Sequence, residues 1–509
     1  MLAATGAAAL AVSAPTGAVA AAAPAGVAWS SRAAAVPYAT TTVSSLSALQ
    51  TALNGAAPGD RIVLANGSYS ASTSIKISKS GTSTAPITVA AAKVGGVTIS
   101  GKAGFSFGTV SNVVISGFVF THGGGLSVPS TANHIQITRN SFQMPGAQEY
   151  WLTVAGDDVQ IDHNNFEHKS TIGNFIEVVG PGSSAMAQRT WIHHNYFLDQ
   201  SYTGANGGES IRVGLSGRQH SSAKAIVEDN LFERCNGDLE IVSVKSTDDI
   251  VRYNTVRNSK GTITLRHGWN NRVEGNYLIG NATGIRVFGN NQVVVNNVVE
   301  NSTGQALEIG GGEVRDDTTS DTDHDAVDHA LVAFNTFVGD TSSPIQMGDG
   351  GKAYQPNDVT VADNVVSGSG SAVSLKGGSS LHYSGNMLSG VSGGGMPSSG
   401  YTSANPKLVA DPAGLYRLSA GSPAIGAAIG SYPQVTLDMD GQARTGTFDI
   451  GADQLNGSGP LREPLTTGGV GPRLPDAGHP GHASGPVRLG PGPAAGWWSR
   501  QKSAGMPWL

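Results

Sequence analysis

Three segments in the middle of the chain carry acidic, amide and basic side chains at recurring intervals. They are Asn206–Gly214, Asn236–Ser246 and Gly261–Gly268. If each interval spans one coil of a repeating fold, the side chains stack beside one another in a single site. Their combination favours chemistry on acidic sugars over an ordinary solvated surface.

The acidic part of this group predicts a metal site. Asp238 and Glu240 are two residues apart, so on a strand both carboxylates project from one face. Neighbouring carboxylates repel each other unless a cation lies between them. Asn206 lies 32 residues before Asp238, one coil plus an insertion, and its amide oxygen can complete an all-oxygen site for Ca²⁺. The alternative interpretation is a solvated acidic face.

The basic part of the group predicts a column of cations. Lys245 follows Glu240 by five residues, so a corner between them is needed to bring both to one side. Arg266 follows Lys245 by 21 residues and is expected one coil later at an equivalent position. Arg286 follows after another 20 residues and is expected to extend the column, with Arg212 contributing from an earlier coil. Each cation taken singly could simply be solvated, but the shared spacing favours binding of an anionic polymer.

The element that must position these residues is a repeating coil. A pattern of Ile or Val, two residues, Asn, one residue and an apolar residue recurs at intervals of 20 to 39 residues. The shortest intervals equal three short strands and three turns, the period of a parallel β-helix. The recurring asparagines are expected to form an amide ladder at a corner. They are Asn140, Asn164, Asn195, Asn230, Asn254, Asn276, Asn296, Asn335, Asn364 and Asn386.

The sequence therefore predicts an all-β fold, a right-handed parallel β-helix in a single solenoid. A short amphipathic helix over 45–53 is expected to cap its N-terminal end. Residues 1–35 are Ala-rich and are interpreted as a signal-peptide-like or disordered leader. Residues 36–455 are assigned to the solenoid, and the Gly- and Pro-rich residues 456–509 are expected to be disordered.

Composition excludes several classes of partner. The net charge of −6 provides no global basic field for nucleic acid. Beyond the leader there is no apolar run long enough to span a bilayer. Cys235 is the only cysteine, so the fold has no intramolecular disulfide. The oligomeric state is left open.

A specific resemblance is carried by Glu240–Ser246, Glu-Ile-Val-Ser-Val-Lys-Ser, followed one coil later by Leu265–Gly268, Leu-Arg-His-Gly. Together with the segment at Asn206, these residues resemble polysaccharide lyase family 6, which includes alginate lyases and chondroitinase B. The resemblance covers roughly residues 40–455.

The resemblance implies a Ca²⁺-assisted β-elimination on a uronate polysaccharide. Lys245 matches the catalytic base and Arg266 the catalytic acid, although a guanidinium holds its protons tightly and could instead stabilise charge. Asn206, Asp238 and Glu240 match the calcium ligands, with Asp238 one methylene shorter than the expected Glu. His267 follows the matched arginine as in the family, and its role is either substrate contact or packing.

The preferred hypothesis is a secreted lyase with alginate as substrate, a choice that rests on the family. A chondroitinase B-like dermatan sulfate lyase is the alternative within it, because guluronate and iduronate share their arrangement at C4 and C5. A calcium-independent β-helical hydrolase, a C5 epimerase and a non-catalytic carbohydrate-binding or adhesion module are the alternatives outside it.

Overall fold

Short strands succeed one another in a fixed order through most of the chain, joined by tight corners or by longer inserted segments such as residues 215–225. The computed structural model describes residues 39–144, 149–316, 318–319, 322–340, 343–455 and 460–472. Successive strands enter three different sheets in turn, and each sheet pairs every strand with its equivalent one coil later, in parallel. This is the predicted parallel β-helix, with its three faces formed by the three long sheets.

The first and second sheets have 14 strands each and the third has 11. The first sheet contains Thr40–Val43, Arg61–Leu64, Ile87–Ala91, Ser111–Ser116, Asn133–Thr138, Gln160–Asp162, Trp191–His193, Ile226–Glu228, Ile250–Arg252, Arg272–Glu274, Val293–Val295, Leu331–Ala333, Asn357–Ala362 and Ser379–Ser384. The second contains Gly67–Ala71, Val97–Gly101, Phe118–Phe120, Ser141–Phe142, Asn165–Glu167, Tyr196–Gln200, Leu231–Cys235, Thr255–Arg257, Tyr277–Ile279, Val298–Glu300, Thr336–Val338, Val365–Ser367, Asn386–Ser389 and Tyr401–Ser403. The third contains Leu126–Val128, Leu152–Val154, Ile176–Val178, Ile211–Gly214, Glu240–Lys245, Thr262–His267, Ile285–Val287, Leu307–Ile309, Ile345–Met347, Ser371–Leu375 and Ser392–Gly394.

Two small sheets and three helical segments complete the described structure. Ile75–Ile77 pairs in parallel with Phe105–Phe107, and Leu408–Ala410 pairs antiparallel with Tyr416–Leu418. The single α-helix, Leu46–Gly55, begins after Ser45, whose side chain accepts a hydrogen bond from the Ala48 N–H. Its buried Leu49 and Leu53 join the solenoid core at the N-terminal end, as predicted for a cap. The 3₁₀ segments are Ser216–Arg218 and Ser398–Gly400.

The core consists of like side chains stacked along the solenoid axis. Phe142, Phe166, Phe197 and Phe232 occupy paired positions on consecutive strands of the second sheet. Their rings stack with centroids 4.6, 5.1 and 4.6 Å apart. The alternation of apolar and polar residues leaves the other side chains of each strand facing outward, so a face of the solenoid can carry chemistry without disturbing the core.

The asparagine ladder lies between the first and second sheets and differs from the prediction at one rung. Each rung accepts hydrogen bonds from the backbone and side-chain amide of the preceding rung, as Asn254 does from Asn230 at 3.0 Å. Asn276 donates to Asn297, and Asn297 donates to Asn335. Asn297, not Asn296, is therefore the rung.

The correction follows from the corner geometry. The residue before each rung adopts a left-handed backbone, for example Asp229 at φ 52° and Tyr253 at φ 56°. Asn296 takes this conformation at φ 57°, which Asn tolerates better than most residues. In the pair Asn296-Asn297 the first residue makes the bend and the second makes the ladder, and the sequence pattern alone fits either.

The chain beyond the last coil runs back along the flank of the solenoid. Buried Arg444 donates to the side chain of Asn296, and Tyr277 donates to the Met439 carbonyl. Further along, the Leu465 N–H donates to Thr255 and the Gly471 N–H to the His194 carbonyl. Arg462 also stacks on Tyr253, with its guanidinium 3.5 Å from the ring centroid. Residues 460–472 thus contact the solenoid. This contact differs from the disorder predicted for residues 456–509.

The predicted leader 1–35 and most of the predicted tail lie outside the described residues. Among the helices of the described part, none is long and apolar enough to cross a membrane.

Candidate functional site

The strand Glu240–Lys245 is the centre of the site, and all six of its residues are buried. Its pairing with Thr262–His267 shifts register between Glu240 and Val242, so Ile241 is an extra residue in the ladder. This bulge replaces the corner that the sequence predicted between Glu240 and Lys245. A bulge reverses the alternation of side chains beyond it, which allows residues five positions apart to serve the same face.

Arg266 occupies a second irregularity of the same pair of strands. Lys245 pairs with His267 and Val244 with Leu265, so Arg266 is the unpaired residue between them. The predicted equivalence of Lys245 and Arg266 is therefore wrong in register, because an interval of 21 residues ignores the extra residue. The Arg266 side chain nevertheless reaches Glu240, with Nη1 2.6 Å from Oε1.

Arg286 lies two positions away from its expected place opposite Arg266. It pairs with Thr264 instead of extending from Arg266. Its Nη1 is 4.0 Å from Glu240 Oε1, and its Nε donates to Glu308 Oε1 at 3.2 Å. The two arginines converge on one carboxylate even though they are not in one column.

Arg212 lies on the outward face of the neighbouring strand, where it pairs with Ser243. It forms an ion pair with Glu177 on the strand before it and donates to the Tyr150 hydroxyl at 3.2 Å. Although burial works against its charge, Glu177 raises the pKa of Arg212 above the ordinary value. The guanidinium is thus permanently charged and already paired.

Glu209 is a functional candidate to which the sequence assigned no role. Its Oε1 lies 3.4 Å from Lys245 Nζ, and its Oε2 accepts a hydrogen bond from Asn174 at 3.0 Å. Burial raises the pKa of Glu209, but Lys245 and Arg212 outweigh it and lower the pKa overall. The sequence feature that could have identified Glu209 as a site residue is its position three residues after Asn206, within the first of the three segments.

Burial is the largest influence on Lys245 itself. It lowers the pKa of the ammonium, and Arg266 and Arg212 act in the same direction, whereas Glu209 and Glu240 oppose it. A lysine in this environment releases its proton more readily than a solvated one. The side chain is therefore suited to act as a base.

The proposed metal ligands lie around the start of this strand. Asp238 is in the bend before the strand, not on it, and its Oδ1 accepts from the Glu240 N–H at 3.2 Å. Its Oδ2 accepts from the Gly208 N–H at 3.2 Å, which brings the segment of exposed Asn206 against Asp238. Burial raises the pKa of Asp238, and Glu209 and Glu240 raise it further. This donor set suits a hard cation.

His267 is buried beside His324, which lies in an inserted segment. Its ring is 5.4 Å from that of His324, which in turn stacks on Phe288 at 4.3 Å. Burial lowers the pKa of His267 to about 3 and that of His324 to about 4. Both are neutral imidazoles at the edge of the site, and His324 was not found from the sequence because it lies in the interval 296–335.

Other clusters lie away from this face. His163, His193 and His194 pack together on and beside the first sheet, where His163 stacks on His194 at 5.0 Å. Asp438, Asp440 and Asp453 are close enough to share a cation. However, Arg417 contacts both Asp440 and Asp453 and supplies the positive charge there.

Comparison with known families identifies the chain over most of its described length. The family model described as Chondroitinase B matches residues 43–385, about two thirds of the chain. No significant match is found among curated protein sequences.

Solved structures give the same result. The polysaccharide lyase family 6 alginate lyase AlyGC has a TM-score of 0.69 and 27% identity over 84% of this chain, and the chain spans 60% of the length of AlyGC. A mannuronic acid specific family 6 lyase from the human gut microbiota has a TM-score of 0.62 and 26% identity, with 69% of this chain and 86% of that chain covered. The lyase Pedsa3628 from Pseudopedobacter saltans, at 21% identity and a TM-score of 0.59, shares the fold. The chain belongs to polysaccharide lyase family 6, the family of chondroitinase B and these alginate lyases.

Proposed function

We propose that this lyase cleaves alginate by a calcium-assisted β-elimination in which Lys245 removes the C5 proton of a uronate. The observation that carries the proposal is the ion pair of buried Lys245 with Glu209, beside a cluster in which Arg266 and Arg286 both approach Glu240. A base with a lowered pKa beside cations that can hold the product's negative charge is the arrangement that β-elimination requires.

Lys245 acts in its neutral form. Burial increases the neutral fraction at the working pH. After it accepts the proton, the ammonium is stabilised by Glu209, whose carboxylate stays ionised because its own pKa is lowered. Glu209 is thus the partner of the protonated base.

Arg266 and Arg286 hold negative charge instead of donating protons. A guanidinium stays protonated at any physiological pH, so these side chains stabilise the uronate carboxylate by hydrogen bonding. Glu240 fixes Arg266 through the contact of 2.6 Å and receives a hydrogen bond from Ser243 at 2.5 Å. The proton for the leaving oxygen then comes from water.

Calcium fits the donor set formed by Asn206, Asp238 and Glu240. Two buried carboxylates that repel each other and an amide oxygen are the ligands that a hard cation prefers. When bound, Ca²⁺ neutralises the carboxylate of the substrate and so makes the neighbouring C5 proton more acidic.

Alginate is favoured over a sulfated polymer by the pairing of the cations. Among the described residues, five cations of this region each form an ion pair with a carboxylate: Arg212, Arg266, Arg286, Lys352 and Arg315. A sulfate group needs additional positive charge that is not already compensated. Dermatan sulfate remains the second candidate, because the matching family model is named after chondroitinase B.

Secretion is the location that this function requires, because a polymeric substrate does not enter the cell intact. It is supported by the Ala-rich residues 1–35, which precede the solenoid.

The test is incubation of the full chain with alginate and with dermatan sulfate, each with calcium and with chelator. The ultraviolet absorbance of the unsaturated uronate reports cleavage. We expect a calcium-dependent rise on alginate. A rise on dermatan sulfate alone would reassign the substrate. No rise on either polymer, with chain length unchanged and the polymer bound, would indicate a binding module.

A further inference from the structure

Glu209 and Asn174 occupy equivalent positions on neighbouring coils, just before strands of the third sheet. Glu209 lies two residues before Ile211 and Asn174 two residues before Ile176, and these two isoleucines pair with each other. Only 1% of the surface of Glu209 and 0% of that of Asn174 is exposed. The two side chains therefore meet away from solvent, where their mutual contacts decide which way the Glu209 carboxylate faces.

The amide of Asn174 holds Glu209 at two points. Its Nδ2 donates to Glu209 Oε2 and to the Glu209 carbonyl oxygen, both at 3.0 Å. A side-chain amide nitrogen carries two hydrogens, so one group bonds the side chain and the main chain of the same residue. The contact to Oε2 fixes the direction of the carboxylate. It leaves Oε1 to face Lys245 Nζ, 3.4 Å away.

Gln200 supports the same segment without orienting the carboxylate. Its Nε2 donates to the Glu209 carbonyl oxygen at 3.1 Å, and its Oε1 accepts from Ser210 Oγ at 2.6 Å. The main chain of Glu209 therefore keeps an amide donor when Asn174 is replaced. The carboxylate itself accepts from Asn174 and from Lys245, so Asn174 is the amide that sets its direction.

The position of the proposed calcium ligands explains why the carboxylate has to be held. The Gly208 N–H donates to Asp238 Oδ2 at 3.2 Å, so Glu209, the next residue, lies beside these ligands. A cation bound there attracts every nearby carboxylate, including that of Glu209. Asn174 is on the coil before Glu209 and Asp238 is on the coil after it. The amide and the metal site thus pull the carboxylate in opposite directions.

We propose that Asn174 is a positioning residue that directs the Glu209 carboxylate to Lys245 and keeps it from turning towards the calcium ligands. Asn174 acts through Glu209 and does not touch the reacting atoms. The geometric half of the proposal, the direction of the carboxylate, is independent of the reaction. The catalytic half, its effect on turnover, rests on the proposed function.

The test variant is Asn174→Leu, which fills a similar volume but cannot donate a hydrogen bond. Its matched control is Asn364→Leu. Asn364 is also 0% exposed, and its Nδ2 donates to Asn386 at 2.9 Å and to the Val332 carbonyl at 3.1 Å. It precedes Val365–Ser367, five strands beyond Leu231–Cys235 in the second sheet. The control therefore loses an equally buried amide at a place remote from the base.

Crystal structures of the wild type and of both variants, solved in the presence of calcium, decide the geometric half. We expect the Glu209 carboxylate to turn away from Lys245 Nζ in Asn174→Leu. It should keep its wild-type contact in Asn364→Leu. A carboxylate that still contacts Lys245 in Asn174→Leu would overturn the proposal.

Kinetics on the polymer that the wild type cleaves decide the catalytic half. In Asn174→Leu, kcat should fall by about 10- to 100-fold. The loss should appear in kcat more than in KM, because the contact concerns proton transfer. In a Glu209→Ala background the same substitution should cost little further activity, since Asn174 acts through the carboxylate. An equal loss in both backgrounds, or a rise in KM with kcat unchanged, would overturn the positioning role.

The remaining outcomes separate this proposal from the proposed function. If the wild type cleaves no uronate polymer, the proposed function fails, while the crystal structures still decide the direction of the carboxylate. If the carboxylate turns in Asn174→Leu and kcat is unchanged, the geometric half stands and the catalytic half is overturned. Should Asn174→Leu not fold, Asn174→Ala removes the donor without placing an apolar branch beside the carboxylate, and the same two readouts apply.

Discussion

At the scale of single residues, Lys245 is distinguished from the other basic residues of the site by its burial. Surface lysines keep their proton, whereas burial lowers the pKa of this one. The arginines around it are fixed by carboxylates and contribute charge that does not change with pH. The division between one titratable base and several permanent cations is what makes the site suited to removing a proton.

Replacing Lys245 with Met should therefore remove activity and leave the fold intact. The methionine fills a similar volume but cannot accept a proton, so turnover should fall by about 10²- to 10⁴-fold. Circular dichroism and the ultraviolet assay check the two parts. Lys376→Met, at an exposed position, is the control that should retain activity, and substantial turnover by Lys245→Met would rule out the proposed base.

Glu240→Gln tests the acidic side of the site. The neutral amide weakens both the calcium donor set and the contact to Arg266. The calcium concentration that gives half-maximal activity should rise about 10- to 100-fold, measured by titrating calcium into chelator-treated protein. Glu167→Gln, on the second sheet, should leave that concentration unchanged. An unaltered calcium requirement in Glu240→Gln would exclude it as a ligand.

At the scale of elements, two irregularities in one pair of strands assemble the site. The extra residues at Ile241 and Arg266 turn side chains that strict alternation would separate towards one face. The rest of the coil is regular, because buried asparagines hold each corner against the next. Regular corners provide the rigidity, and bulges provide the local change of direction.

Asn254→Ala should show how much a single rung of the corner ladder contributes. Its amide bonds Asn230, Asn276 and the carbonyls of Val227 and Arg252. Loss of these buried bonds should lower the free energy of unfolding by about 2–4 kcal/mol, measured by urea denaturation. Asn54→Ala, whose side chain accepts from Gln50 at an exposed site of the helix, should cost less than about 0.5 kcal/mol. Equal effects of both would contradict a structural ladder.

At the scale of the whole molecule, the chain after the last coil stabilises the flank of the solenoid. Arg444 is buried and donates to Asn296 and to the carbonyls of Asp449, Gly451 and Ala452. Its guanidinium also lies 4.6 Å from the centroid of the Phe334 ring. One side chain thus joins the returning segment to two coils.

Arg444→Met should release this segment. Removal of a buried charge leaves its partners unsatisfied, so we expect a loss of about 3–5 kcal/mol and faster proteolysis within 404–455. Arg462→Met removes a partly exposed ion pair with Asp229 and the stacking on Tyr253, and should cost about 1–2 kcal/mol. Proteolysis at the wild-type rate in Arg444→Met would show that the segment is held by other contacts.

The sequence by itself determined the fold class, the capping helix and the three segments that form the site. The fold class could be predicted because each coil repeats its apolar and Asn positions at similar intervals, and these intervals can be read from the amino-acid sequence. Arg266 and Arg286 both approach Glu240, although the equivalent register expected for Lys245 and Arg266 is wrong.

Only the tertiary structure decided which residues of neighbouring coils pair with each other. The bulges at Ile241 and Arg266, the choice of Asn297 over Asn296, and the contacts of Glu209 and His324 depend on which residues are left unpaired between neighbouring coils. One extra residue shifts every later side chain to the opposite face. A count along the chain locates a site to within a coil, whereas only hydrogen bonding between coils fixes which atoms meet.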